Sequence, residues 1–240
     1  MQKFGGWNIE INESISTVSV MLKLKVAILD RTKGKVTNLF RLASVMETQL
    51  KRSYQISYQT YINFPISKFN NHNRIINSGL DGFAYKTFFS PVKKTVNVSF
   101  FMNYRIVRNP DQKMNNEHLI QIMDNIGEMK NLYGFAHNIG GSTVSLNVSY
   151  VNNIIQGLDN NTIPHELGHT LSLLHVDDQS TLRSDSRQYW THAKQNTKDS
   201  TNIMFSGGSK YNTDLTSTTV VGDQINLLIN AYRNGKLNLN

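Results

Sequence analysis

Three closely spaced histidines constrain this chain of 240 residues more than any other feature. The segment reads His165-Glu166-Leu167-Gly168-His169, followed by Thr170-Leu171-Ser172-Leu173-Leu174-His175. On an α-helix, side chains four residues apart project on the same side. His165 and His169 therefore predict a helix that begins near Thr162. Two imidazoles on that helix can share one zinc ion at about 2.0–2.1 Å each.

The position of His175 predicts where this helix ends. If the helix continued, His175 would lie about 9 Å further along the axis, too far to share the ion. The chain must therefore leave the helix near Ser172 and turn back, which predicts His175 as the third ligand. No glutamate follows Glu166, so a site completed by a later glutamate is excluded. Another reading leaves the third ligand to a late aspartate, and the candidates are Asp199, Asp214 and Asp223.

Glu166 stands beside the first predicted ligand, where its carboxylate can reach a water molecule on the metal. Zinc lowers the pKa of such a water to about 7. The carboxylate can take the proton as the water attacks a carbonyl, and can then deliver it to the leaving amine. Glu166 is therefore the predicted catalytic base. The bland alternative is a helix whose surface histidines align without binding a metal.

Composition excludes several other classes of site and partner. The chain has no cysteine, which rules out disulfides and thiolate metal sites. Its net charge of +8 comes from scattered basic residues, with no run of five or six like charges. We therefore expect a soluble basic surface, no nucleic-acid partner and a monomer. No run of eighteen apolar residues occurs, so no membrane span is predicted.

The first seven residues lack the apolar stretch of a signal peptide. Either the chain is not exported by that route, or it is excised from a longer precursor. The expectation is a secreted or delivered domain without a signal peptide of its own.

Apolar periodicity predicts the order of the helices and strands. We expect strands at 18–28, 96–106 and 143–151, helices at about 37–53 and 218–233, and a loop at 69–90. Residues 118–123 fit either a short strand or a helix, and we favour the strand. Ser217 or Thr218 would cap the last helix, and Gly235 would end it. This order predicts a single α+β or α/β domain with three layers. Residues 1–175 would form an upper part with the sheet and the active-site helix, and 176–240 a smaller lower part.

The segment from His165 to His175 resembles the extended zinc motif of metzincins, a large clan of metallopeptidases. That motif usually has glycine where this chain has Ser172, because the turn out of the helix favours a positive φ. We predict that Ser172 ends the helix in a left-handed or otherwise non-helical conformation. We also predict that His175 binds the metal through Nε2.

The resemblance extends to Met204, which follows His175 by 29 residues. In this clan a methionine-containing turn forms an apolar floor beneath the metal. The resemblance also implies a twisted, mostly parallel sheet with an antiparallel edge strand. The strand at 143–151 would be that edge and would bind an extended substrate along Ser145, Asn147 and Ser149.

More loosely, the run from Gly134 to the zinc motif is similar to metzincin-like domains at the C-terminal ends of bacterial polymorphic toxins. The function expected from the resemblance is a zinc-dependent endopeptidase acting on protein or peptide substrates. One alternative is a zinc-binding module without catalysis, against which the retention of Glu166 argues. The other is a zinc amidase acting on a non-protein amide such as a cell-wall peptide.

Overall fold

The computed structural model describes residues 5–62, 92–126, 132–177, 201–206 and 217–239. The loop predicted at 69–90 lies outside the described residues. The described strands are β1 (Trp7–Glu13), β2 (Thr17–Asp30), β3 (Ser57–Ile62), β4 (Val92–Val107), β5 (His118–Met123), β6 (Gly134–Ala136) and β7 (Thr143–Asn147). The helices are α1 (Leu39–Tyr54), α2 (Val148–Gln156), α3 (Thr162–Thr170) and α4 (Gly222–Arg233).

The strands form one mixed sheet in the order β3-β4-β2-β5-β7-β6, and β1 pairs with the first half of β2. Strands β2, β4, β5 and β7 run parallel to one another. The antiparallel members β1, β3 and β6 each pair with one of these four. The predicted α+β class and the mostly parallel sheet with an antiparallel edge strand are confirmed.

Period-two alternation along β2 creates the core of the domain. Every second residue from Val18 to Ile28 is fully or almost fully buried, whereas Met21 between them is 39% exposed. Helix α1 begins where the Asn38 side chain accepts a hydrogen bond from the Arg41 N–H. Its apolar stripe then packs on β4 and α3, through Leu42, Met46, Leu50 and Tyr54. The strand–helix layer thus supports α3 from beneath.

The prediction of a strand at 143–151 is correct for its first half only. Residues 143–147 form β7, but 148–156 form α2. The Asn147 side chain accepts a hydrogen bond from the Ser149 N–H and starts the helix. Val151 and Ile154 then turn toward the core with helical spacing. The apolar residues 144, 146, 148 and 150 fit a strand, but the side-chain cap and the later spacing outweigh that alternation.

The last helix was predicted at 218–233 and begins instead at Gly222. Residues 217–221 are held extended, because the main chain of Thr219 bonds to both Thr201 and Ile203. Ser217 and Thr218 are therefore not the cap of the helix. The predicted end is confirmed: the helix stops at Arg233, and Gly235 has a φ of +66°. No helix in the described part of the chain is long and apolar enough to cross a bilayer.

Candidate metal centre

Helix α3 carries the first two histidines and begins at Thr162, as predicted. Its first turn is stabilised by Asp159, whose Oδ1 accepts hydrogen bonds of 3.0 Å from the N–H groups of both Asn161 and Thr162. A carboxylate at this position satisfies helix N–H groups that have no partner within the helix. The hydroxyl of Tyr54 on α1 donates to the Pro164 carbonyl. Both contacts fix where the helix lies.

The three predicted metal ligands converge at one point. The Nε2 atom of His175 lies 3.2 Å from Nε2 of His165 and 3.2 Å from Nε2 of His169. His165 and His169 are buried, and His175 is partly buried. Three nitrogens bound to one zinc ion at about 2.0–2.1 Å in a tetrahedron are separated by about 3.3 Å. The observed spacing fits that donor set.

Main-chain carbonyls orient the two helical imidazoles. Nδ1 of His165 lies 2.7 Å from the Ile203 carbonyl oxygen, and Nδ1 of His169 lies 2.8 Å from that of Leu173. Each Nδ1 must therefore carry the proton, which leaves the Nε2 lone pair directed at the shared point. Carbonyl partners of this kind fix the tautomer and orientation of metal-binding histidines.

Burial also keeps these imidazoles neutral, the form that binds metals. Desolvation, reinforced by the charge of His175, lowers the pKa of His169 to about 4. Desolvation and the two neighbouring histidines lower the pKa of His165 well below its ordinary value. At neutral pH the site therefore offers unprotonated nitrogens, and a metal need not displace protons to bind.

The turn after α3 returns His175 to the site, and it has the predicted conformation. Ser172 has a φ of +65°, in the left-handed region. The Ser172 N–H donates to the His169 carbonyl and the Leu173 N–H to the Gly168 carbonyl. These two bonds form a Schellman motif, whose left-handed position is usually glycine.

Met204 lies directly beneath α3. It is fully buried, and a β-carbon placed on Gly168 would lie 2.5 Å from its Sδ atom. Glycine is therefore required between the two helical histidines for the methionine to approach. The Met204 carbonyl accepts a hydrogen bond from the Val176 N–H, just after His175. Together with the Ile203–His165 bond, this joins the methionine segment to two of the three histidines.

The Glu166 carboxylate contacts the short strand β6. Its Oε2 accepts a hydrogen bond of 2.7 Å from the Ala136 N–H. Burial raises the pKa of Glu166 to about 7, and the Ala136 hydrogen bond partly opposes that rise. A carboxyl group with a pKa near neutrality can both accept and return a proton at physiological pH.

The predicted substrate-binding edge is wrong. Strand β7 is paired on both sides, with β5 and with β6, so it is interior. Ser145 and Asn147 are buried, and Ser149 belongs to α2. The Ser145 hydroxyl lies 2.8 Å from His137 Nε2 and accepts from Gln121. Among the described residues, the strand at the edge next to β7 is the antiparallel β6, whose three residues alternate over too short a length to be recognised in the sequence.

The alternative third ligands do not join the histidines among the described residues. Asp223 lies in the first turn of α4, close to Tyr58. The pKa of the Tyr58 hydroxyl is raised, mainly by the burial of Tyr58 and further by the negative charge of Asp223. Asp223 is not part of the histidine group. Asp199 and Asp214 lie outside the described residues.

Comparison with known proteins gives a distant similarity to a solved structure. No protein-family description matches this chain, and no curated protein matches it. Among solved structures, the chain is similar to the crystal structure of metalloproteinase-II from Bacteroides fragilis, with a TM-score of 0.42 and 12% sequence identity. The similarity covers 87% of this chain and 52% of the other, so this chain spans about half the length of that metalloproteinase.

Proposed function

We propose that this protein is a zinc-dependent endopeptidase in which Glu166 is the general base. The observation that carries the proposal is the convergence of three Nε2 atoms at one point, with Glu166 adjacent to His165 on the same helix. His165, His169 and His175 would hold the ion. A zinc ion bound there supplies Lewis acidity, which polarises a carbonyl group and makes a nearby water more acidic.

Glu166 would move the proton. The Ala136 N–H holds Oε2, which fixes the plane of the carboxylate and leaves Oε1 for proton exchange. The carboxylate would take a proton from the attacking water and give it to the nitrogen of the departing amine. Its raised pKa suits both directions of transfer. No side chain forms a covalent bond to the substrate in this scheme.

An extended substrate would bind along the edge of β6 that faces away from β7. The main-chain groups of Tyr133 and His137 bond to β7, so in an antiparallel pair those of Gly134 and Ala136 point the other way. Because the Ala136 N–H already holds Glu166, this edge lies beside the proposed base. Strand addition would thus place a peptide bond near Glu166 and near the three histidines.

The central test is Glu166→Gln, which keeps the size of the side chain and removes the base. We expect the variant to retain zinc and to lose about 10²–10⁴-fold in turnover of a sensitive peptide. Glu47→Gln is the matched control, because Glu47 lies on α1 and not on α3, and pairs there with Lys51. Equal turnover in Glu166→Gln and the parent would refute the role of Glu166.

The substrate class needs a separate measurement. The parent is incubated with an unfolded protein, with a diverse peptide library and with purified peptidoglycan. Cleavage within the protein and the peptides supports the endopeptidase. Release of fragments from peptidoglycan alone would indicate an amidase, and zinc binding with no cleavage of any substrate would indicate an inactive binding module.

A further inference from the structure

Three distant segments of the chain meet at the turn that returns His175. Ser172 occupies the left-handed position of the turn, and its hydroxyl donates a hydrogen bond of 3.1 Å to the Lys236 carbonyl. Gly140 lies beneath the same turn and donates its N–H to the His169 carbonyl at 2.8 Å. The Gly140 carbonyl accepts the Leu239 N–H at 2.9 Å.

The packing at this junction is close. Gly140 has a φ of +72°, and a β-carbon placed on it would lie 2.1 Å from the Lys236 carbonyl oxygen and 2.9 Å from Ser172 Oγ. No other residue fits at this position without moving the turn or the C-terminal segment. Residues 236–239 therefore lie directly against the C-terminal end of α3. We call these four residues the C-terminal segment.

The C-terminal segment is itself anchored to β1. The Asn238 side chain accepts from the Trp7 N–H and donates to the Trp7 carbonyl, both at 2.9 Å. The Trp7 indole N–H in turn donates to the Thr170 hydroxyl at the last residue of α3. The segment is thus a fixed support, to which a hydroxyl on the turn can be tied.

The turn controls the position of two ligands. His175 follows Ser172 by three residues, and the Leu173 carbonyl orients the His169 imidazole. A shift of the turn would therefore move His175 and, at the same time, the Leu173 carbonyl that orients His169. Glycine at position 172 would remove the strain of the β-carbon but would leave the turn without this tether.

We propose that Ser172 is a positioning residue for the metal site, whose hydroxyl ties the His175 turn to the C-terminal segment. This inference rests on the proposed zinc site. It assigns a role to the serine that stands where the resembled motif usually has glycine.

The test compares Ser172→Ala and Ser172→Gly in two measurements. Zinc dissociation constants are obtained by competition with a chromogenic chelator, and unfolding by urea is followed in EDTA. Both variants lack the hydroxyl, so we expect each to bind zinc roughly tenfold more weakly, as for other groups that orient metal ligands. Only Ser172→Ala keeps the β-carbon strain, so it should be the less stable of the two without metal.

Two further variants separate tethering from general destabilisation. Ser99→Ala removes another hydroxyl near a main-chain carbonyl, that of Val20 on the sheet, and should leave zinc affinity unchanged. Asn238→Gly releases the C-terminal segment without adding strain at its φ of +62°. In that background Ser172→Ala should weaken zinc binding less than it does in the parent.

The outcomes are distinct. If Ser172→Gly binds zinc as tightly as the parent, and Ser172→Ala changes only the urea midpoint, the serine is merely structural and the inference is overturned. If the parent binds no zinc, the proposed function fails and the inference falls with it. Weaker binding in both variants, with parent-like binding in Ser99→Ala, supports the tether.

Discussion

Replacing Gly168 with alanine should destabilise the protein, although alanine is the better helix former. The new β-carbon would lie 2.5 Å from Met204 Sδ and 3.1 Å from the Tyr54 hydroxyl oxygen. Both neighbours are fully buried, so neither can turn away into solvent. Overpacking of this kind costs about 1–3 kcal/mol. Better helix propensity returns up to about 1 kcal/mol.

The expected net loss is therefore about 1 kcal/mol, equivalent to a fall of about 2–4 °C in Tm for a chain of this size. Urea unfolding of the protein in EDTA measures it without the contribution of a bound metal. Zinc affinity should fall as well, because a displaced Met204 moves the neighbouring Ile203 carbonyl, which orients His165.

A double-mutant cycle with Met204→Ala tests the cause. Met204→Ala alone should cost about 2–5 kcal/mol through the cavity that it leaves. In its presence the methyl group introduced by Gly168→Ala has room, so the two changes together should cost less than their sum by about 0.5–3 kcal/mol. If Gly168→Ala is as stable as the parent, or if the two losses of unfolding free energy simply add, the close contact between Met204 and α3 is not the cause of the destabilisation.

Three other predictions follow from buried ionisable groups. Because the pKa of Glu166 is raised from 4.5 to about 7, the metal-free folded protein keeps a proton that the unfolded chain releases. As the pH rises from 4.5 to 7, its unfolding free energy should therefore fall by up to about 3 kcal/mol relative to that of Glu166→Gln. If the two proteins depend on pH in the same way, the prediction is wrong. Burial lowers the pKa of His118 from 6.5 to about 3, so the unfolding free energy of the parent should fall as the pH drops below 6.5. By pH 4 the unfolding free energy of His118→Gln should have fallen by about 2–3 kcal/mol less than that of the parent. The same acid midpoint in both proteins would refute this prediction. Lys94 and Glu13 form an ion pair of 2.5 Å with both side chains 8% exposed, so Lys94→Met should cost about 3–5 kcal/mol in urea unfolding and Lys94→Met with Glu13→Gln clearly less.

The sequence was most informative where local geometry decides the structure. The spacing of His165, His169 and His175 requires a helix that stops and reverses, and the left-handed φ of Ser172 follows from that requirement. The strands at β2 and β4 were equally predictable, because their alternating apolar residues extend over many positions. In each case the pattern and the physical cause lie within one short segment.

The sequence was least informative where a distant partner decides. Strand β6 has only three residues, and pairing with β7 defines it, so the edge was assigned to the wrong strand. The extended run before α4 depends on a bridge to Asn202, which no local pattern reveals. The contacts of the C-terminal segment with Ser172 and Trp7 join residues more than sixty positions apart. Such contacts leave no periodic signal.

The most direct measurement of the central claim is the zinc content and coordination of the purified parent. Metal analysis should give about one zinc per chain, and X-ray absorption should show about four nitrogen or oxygen ligands at about 2.0–2.1 Å, three of them imidazoles recognised by scattering from the outer ring atoms. His165→Ala, His169→Ala and His175→Ala should each lose most of the bound metal. A parent without zinc, or full zinc occupancy in all three variants, would contradict the account.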